Sequence, residues 1–203
     1  MKSQLFVIFS FLILLSPMYS KVESSKASDK NDADIHSEFA ILGGGCFWCT
    51  EAVFEKIKGV ISVISGYAGG DSKNPTYKEI CTGKSGHAEV IKIQYNPQVI
   101  GFKKILEIFG KCHDPTTLNR QGADVGTQYR STVMYLTKEQ KVTAEQWKNE
   151  LNSALPSPVV TEIVRAPVFY EAEEYHQNYY ERNPNQGYCN FVIRPKLIKL
   201  DLE

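Results

Sequence analysis

Residues 39–49, Phe39-Ala40-Ile41-Leu42-Gly43-Gly44-Gly45-Cys46-Phe47-Trp48-Cys49, decide how the chain begins to fold. Phe39–Gly43 is an apolar run of strand length that ends in three glycines. From Cys46 to Lys58, the side chains Cys46, Cys49, Val53 and Ile57 recur at helical spacing, which predicts a helix opening at the cysteine. The glycines are expected to bring the backbone close to a ligand and to bare the N–H groups of the first helical turn.

The pattern continues outward from this start. Val60–Tyr67 is a β-branched strand closed by Gly69-Gly70, and His87–Tyr95 alternates strictly until Asn96-Pro97. Phe102–Lys111 reads as an amphipathic helix, Tyr129–Leu136 as a strand and Lys138–Ser153 as a helix. Val159–Arg165 follows as a strand and Glu171–Arg182 as a short helix. The order β-α-β-β-α-β-α-β-α predicts an α+β sandwich of helices packed on a mixed β-sheet. Two long excursions, 68–86 and 112–128, are rich in Gly, Thr, Tyr and Asp and are expected to be functional loops. From about residue 183 the chain is turn-rich, and an irregular C-terminal tail is expected.

The 203 residues fit one domain. Residues 1–20 carry Lys2, an apolar run from Leu5 to Leu15 and the end Ser16-Pro17-Met18-Tyr19-Ser20, the three-part shape of a signal peptide cleaved near Ser20. Residues 21–37, rich in Ser, Lys and Asp, read as a flexible spacer, which leaves 38–203 as a single catalytic domain. The expected location is the secretory pathway or the extracellular space, with no stable membrane association once the leader is removed. Lys plus Arg and Asp plus Glu are 23 each, and no basic run stands out, so nucleic acid is not an expected partner. A monomer acting on small neutral molecules or protein surfaces fits better. Five cysteines, an odd number, leave at least one thiol outside intramolecular pairing.

The chemistry centres on Cys46. Free N–H groups and the dipole at a helix start favour an anion, so the Cys46 pKa is expected to fall and its nucleophilic thiolate to be populated. Phe47 and Trp48 can enclose a small apolar group. Cys49 completes a C-x-x-C motif, which keeps open a thioredoxin-like thiol–disulfide oxidoreductase using Cys46 and Cys49. No second ligand pair completes a zinc site, so no metal is expected. In the strand His87–Tyr95, Glu89 shares a face with Ile91, Ile93 and Tyr95. Desolvation there is expected to raise its pKa and keep it a proton donor near neutral pH. Cys81 and Cys112 read as structural.

Six blocks in register resemble the peptide-methionine (S)-S-oxide reductase family, the methionine sulfoxide reductase A type. They are Gly45-Cys46-Phe47-Trp48, Gly66-Tyr67-Ala68-Gly69-Gly70, Pro75-Thr76-Tyr77, Gly86-His87-Ala88-Glu89, His113-Asp114-Pro115-Thr116 and Gly126-Thr127-Gln128-Tyr129-Arg130-Ser131. The resemblance runs from about Phe39 to Cys189. It implies a ferredoxin-like core and an oxidoreductase that repairs oxidised proteins by reducing methionine S-sulfoxide, free or in proteins. By similarity, Cys46 attacks the sulfoxide sulfur and becomes a sulfenic acid, Glu89 protonates the oxygen, and Tyr77 and Tyr129 hydrogen-bond it. Phe47 and Trp48 hold the ε-methyl group, and Asp124 helps position water or the substrate backbone. Cys189 resembles the family's resolving cysteine, with Cys49 as the rival. The family implies no bound cofactor and an external dithiol such as thioredoxin as reductant.

Overall fold

The structure, a computed structural model, describes residues 36–203. The expected leader 1–20 and nearly all of the expected spacer 21–37 lie outside the described residues. In chain order the elements are β1 (Glu38–Gly43), α1 (Phe47–Phe54), β2 (Val60–Ala68), α2 (Tyr77–Cys81), β3 (Ala88–Tyr95) and α3 (Phe102–Cys112). A small hairpin β4 (Arg120–Gln121) and β5 (Asp124–Val125) follows, then β6 (Thr132–Tyr135), α4 (Lys138–Ala154), β7 (Glu162–Arg165), β8 (Phe169–Glu171), α5 (Tyr179–Arg182) and α6 (Arg194–Lys199).

Six strands form one sheet in the order β7-β6-β1-β3-β2-β8. The central order β6-β1-β3-β2, with α1 and α3 as crossovers, is the ferredoxin-like arrangement. The β6–β7 pair is parallel, joined through α4, and the other pairs are antiparallel, so the sheet is mixed as the alternation of elements suggested. Inward side chains of the strands (Leu42, Tyr67, Ile91, Ile93, Tyr95, Val133) meet α1, α3, α4 and the C-terminal segment in the main core. The opposite sheet face carries a smaller cluster of Ile41, Ala68, Ala88, Val90 and Met134, with Phe169 packed against it.

Three local expectations change. Helix α1 stops at Phe54 rather than running to Lys58, and Gly59 (φ +96°) completes the reversal into β2. Rather than one apolar stripe, α1 has Phe47 and every residue from Cys49 to Phe54 buried, because it is wedged between the sheet and the C-terminal segment. The expected helix Glu171–Arg182 is instead β8, a single 3₁₀ turn at Glu174–His176 and the short α5. Side chains take the backbone partners that a helix would supply. Gln177 donates to the carbonyls of Ser65 and Ala172 and accepts from the Ser65 N–H, while Glu51 accepts from the Tyr179 N–H.

The C-terminal tail is likewise ordered, not irregular. It forms a wide π-helical turn at Cys189–Ile193 that runs into α6. Cys189, Ile193 and Leu197 lie four residues apart, so they share one helical face, and all three are fully buried against the core. That burial offsets the ordering entropy a turn-rich sequence would otherwise keep.

The glycine run before α1 serves close packing more than ligand access. A Cβ on Gly44 would stand 2.8 Å from the Phe109 ring and 3.0 Å from His113. Gly45 has φ +89° and lies under the Gln121 side chain. Gly44→Ala is therefore expected to destabilise the fold by about 1–3 kcal/mol through overpacking. Denaturant unfolding measures this, and an unchanged midpoint would contradict the packing described.

Candidate active site

Pairing of β1 with β3 sets Leu42 opposite Ile91 and so carries the start of α1 alongside Glu89. Cys46 is the N-cap of α1 and is 8 % exposed. The N–H of Phe47, the first of the helix, donates to Glu89 Oε2 at 3.1 Å. One bared donor of the helix start is thus directed at a carboxylate and not at the sulfur.

This arrangement overturns the expected fall in the Cys46 pKa. Burial, together with interactions with Cys49 and the Glu89 carboxylate, holds the Cys46 thiol well above the usual thiol value. Cys49, one turn on, moves the other way, down to about 7, chiefly because Cys46 hydrogen-bonds to it.

Glu89 is 2 % exposed, and burial pushes its carboxyl up to about 8, against the lowering effect of the Phe47 N–H. It carries its proton at neutral pH, as the apolar face of β3 suggested.

Two tyrosines from the excursions face the same point. Tyr77 opens α2, whose N-cap Thr76 forms a reciprocal box with Glu79. The Tyr77 backbone N–H is held by Glu173 Oε1 at 2.9 Å, and the same carboxylate accepts from the buried Tyr67 hydroxyl at 2.8 Å. Tyr129 ends the single 3₁₀ turn Thr127–Tyr129 ahead of β6, so it lies on the loop and not in the strand first expected. Burial raises both phenols, Cys81 and then Glu89 add to the rise at Tyr77, and Glu89 and then Cys46 add to it at Tyr129. Both hydroxyls therefore stay protonated donors within the field of Glu89.

Phe47 and Trp48 lie in an aromatic cluster beside Cys46. Phe47 is 1 % exposed, and its ring lies 6.3 Å from Trp48 and 5.8 Å from Tyr67. Trp48 stacks on Tyr179 at 3.6 Å with the planes 5° apart, and its indole N–H donates to His176 Nδ1 at 3.2 Å. Burial lowers the His176 pKa, which keeps the ring neutral and able to accept. Asp124, on β5, accepts from the Tyr188 hydroxyl at 2.8 Å, and that hydroxyl is 3.6 Å from Cys49 Sγ.

Cys46, Glu89, Tyr77, Tyr129, Phe47, Trp48, Asp124 and Cys49 thus converge on one site. Cys189, the first residue of the tail's π-helical turn, is wholly buried in the core. Of the two cysteines read as structural, Cys112 is buried and donates to the Phe109 carbonyl, whereas Cys81 is exposed on α2. Sequence reading passed over His176, Tyr179, Tyr188 and Glu173. The aromatic density of Tyr175-His176-Gln177-Asn178-Tyr179-Tyr180 was a signal, hidden by reading that stretch as one helix.

A nucleophilic sulfur, a protonated carboxyl and two phenol donors around a small aromatic cup suit the attack of sulfur on a polar, poorly electrophilic S–O group. Comparison with known proteins points the same way. The family model described as peptide methionine sulfoxide reductase matches residues 38–202. The peptide methionine sulfoxide reductase MsrA of Acinetobacter baumannii (strain AYE) is 55 % identical over 161 residues, covering 79 % of this chain and 92 % of that protein. Mxr1 from Saccharomyces cerevisiae in reduced form superposes with a TM-score of 0.72 at 35 % identity, covering 75 % of this chain and 89 % of that one. Mxr1 in complex with Trx2 superposes with a TM-score of 0.53 at 26 % identity, over 75 % and 91 % of the two chains.

Proposed function

The chain belongs to the peptide methionine sulfoxide reductase family, and from that premise we propose that it reduces the S epimer of methionine sulfoxide through a sulfenic acid on Cys46. The observation that carries this reading is the contact of the α1 start with a buried, protonated Glu89 beside the Cys46 thiol.

The substrate ε-methyl group enters the cup of Phe47 and Trp48, with the indole held by His176 and Tyr179. The oxygen lies towards Glu89, Tyr77 and Tyr129, which stabilise the charge that grows on it. Cys46 Sγ attacks the sulfoxide sulfur and loses its proton, while Glu89 gives one to the oxygen and is reprotonated at the expense of the thiol. Oxygen passes from the substrate to Cys46, and the products are methionine and Cys46 sulfenic acid, with no net proton uptake. The Asp124–Tyr188 pair at the rim takes the substrate's main chain. A second thiol then condenses with the sulfenic acid, water leaves, and an external dithiol of the thioredoxin kind reduces the disulfide. The Trx2 complex of the relative Mxr1 supports that reductant.

A thioredoxin-like exchange activity rests on the motif Cys46-x-x-Cys49 alone, whereas family membership spans residues 38–202. The leader-like pattern of Lys2, Leu5 to Leu15 and Ser20 supports action in the secretory pathway or outside the cell, on oxidised proteins as well as free methionine sulfoxide.

The test is turnover of resolved S and R sulfoxides of an N-acetylated, amidated methionine with a dithiol reductant. Reduction of the S form with little of the R form is expected. Equal turnover, or turnover unaffected by alkylating Cys46, would refute the proposal.

A further inference from the structure

Helix α2 has only five residues, too few to be stable alone, so the placement of Tyr77 at its first position must come from outside the helix. The donors at its start are shared among three groups. Glu79 takes the Thr76 N–H, Thr76 takes that of Glu79, and Glu173 takes that of Tyr77 at 2.9 Å. The Glu173 backbone carbonyl also accepts the His176 N–H at 2.9 Å, and the His176 ring lies 4.4 Å from that of Tyr77. A single turn of chain after β8 thus holds both the backbone and the ring of Tyr77.

The second oxygen of Glu173 accepts from the Tyr67 hydroxyl at 2.8 Å. Tyr67 is fully buried on β2 and stands directly opposite Glu89 in the pairing of β2 with β3. The carboxylate therefore spans the strand pair that carries Glu89 and the helix that carries Tyr77. No lysine or arginine is paired with it among the described residues, so its two oxygens hold two neutral donors.

From this bridge we propose that Glu173 is a positioning residue that sets the spacing between the Glu89 carboxyl and the Tyr77 hydroxyl around the substrate oxygen. This rests on the reading above, in which both groups act on that oxygen. Glu173 works through Tyr67 and Tyr77 and not on the substrate. A donor misplaced by about 1 Å can cost on the order of a hundredfold in rate, so a carboxylate behind the site has leverage over the chemical step. Substrate binding is governed elsewhere. Glu173→Ala leaves the backbone bond to His176, and with it the support of the Trp48 indole, in place.

The experiment is a double-mutant cycle on the full chain, read as the rate of methionine release in a single turnover at saturating S-sulfoxide, so that recycling does not enter. Glu173→Ala and Tyr77→Phe are each expected to slow release by about tenfold or more. Combined, they should fall no more than about threefold below the slower single variant, because without the hydroxyl nothing is left to aim. The half-saturating sulfoxide concentration of Glu173→Ala should move by less than about threefold. Glu173→Gln keeps an acceptor for the Tyr77 N–H and a group that can bond the Tyr67 oxygen, and should release methionine within about threefold of the unmodified rate.

Effects that multiply in the cycle, or release at the unmodified rate by a folded Glu173→Ala variant, would overturn the inference. If that variant does not fold, Tyr67→Phe unties the same bridge from its other end. Its slowing, about threefold or more, should likewise disappear in the Tyr77→Phe background, and slowing that multiplies there would count equally against the bridge. Full activity of Tyr77→Phe would remove the phenol and this inference together, while leaving Cys46 and Glu89 in their roles. Absence of methionine release from the unmodified protein would instead sink the proposed function itself.

Discussion

Cys46→Ser is expected to lower methionine sulfoxide reduction by on the order of 10⁴-fold or more, to the background given by a dithiol alone. A serine hydroxyl is a far weaker nucleophile than sulfur. It also has no sulfenic acid level to which oxygen could be transferred, so the loss should appear in single-turnover methionine release and not merely in recycling. The substitution removes little packing, because Cys46 is the N-cap of α1 with an extended ψ of 127° and makes no side-chain cap bond that the fold depends on. Serine is itself a favoured N-cap residue. Thermal unfolding within a few degrees of the unmodified protein, together with the loss of turnover, would assign the effect to chemistry. Retained turnover above the dithiol background would remove Cys46 from the reaction.

Glu89→Gln should give the second-largest effect, a fall of roughly 10²- to 10⁴-fold in kcat/KM, the range expected for loss of a positioned general acid. The amide can still accept the Phe47 N–H through its carbonyl, so the start of α1 should hold its place. The two variants also separate by pH. Burial raises the Glu89 carboxyl from 4.5 to about 8, so the acid form dominates at neutral pH and is lost as pH rises through about 8. In the unmodified enzyme, kcat/KM should therefore decline on the alkaline side with an apparent midpoint near that value, and Glu89→Gln should lack this limb. The Cys46 thiol pulls in the opposite sense, since burial keeps it protonated and rising pH favours its ionisation. A profile that rises steadily from pH 7 to 9 in the unmodified enzyme would mean that thiol ionisation governs the rate and that the Glu89 proton is not required.

The two carboxyl groups nearest the nucleophile's helix divide their work. Glu89 keeps its proton beside Cys46, with only the Phe47 N–H as a close partner. Glu51, also buried, accepts from the Ser65 hydroxyl at 3.0 Å and the Tyr179 N–H at 3.1 Å. It thereby ties α1 to β2 and to the segment that carries His176 and Tyr179 against Trp48. One is placed for chemistry and the other for holding the indole's surroundings together, a distinction set by their partners and not by residue type.

The sequence by itself determined the local framework. A strand halted by glycines, a helix beginning at Cys46, and the alternation that puts Glu89 on the inward face of β3 all depend on neighbours a few residues away, and periodicity records such neighbours directly. The motif blocks also named most of the residues that the fold gathers. The tertiary structure alone decided how they behave. Phe47 meets Glu89 across 42 positions, Trp48 meets His176 across 128, and Asp124 meets Tyr188 across 64. Burial by distant segments turned the expected easily ionised Cys46 into a reluctant one. It also made an ordered cover of a tail that reads as loose. Desolvation and pairing are set by what packs around a group, and no local pattern carries that information.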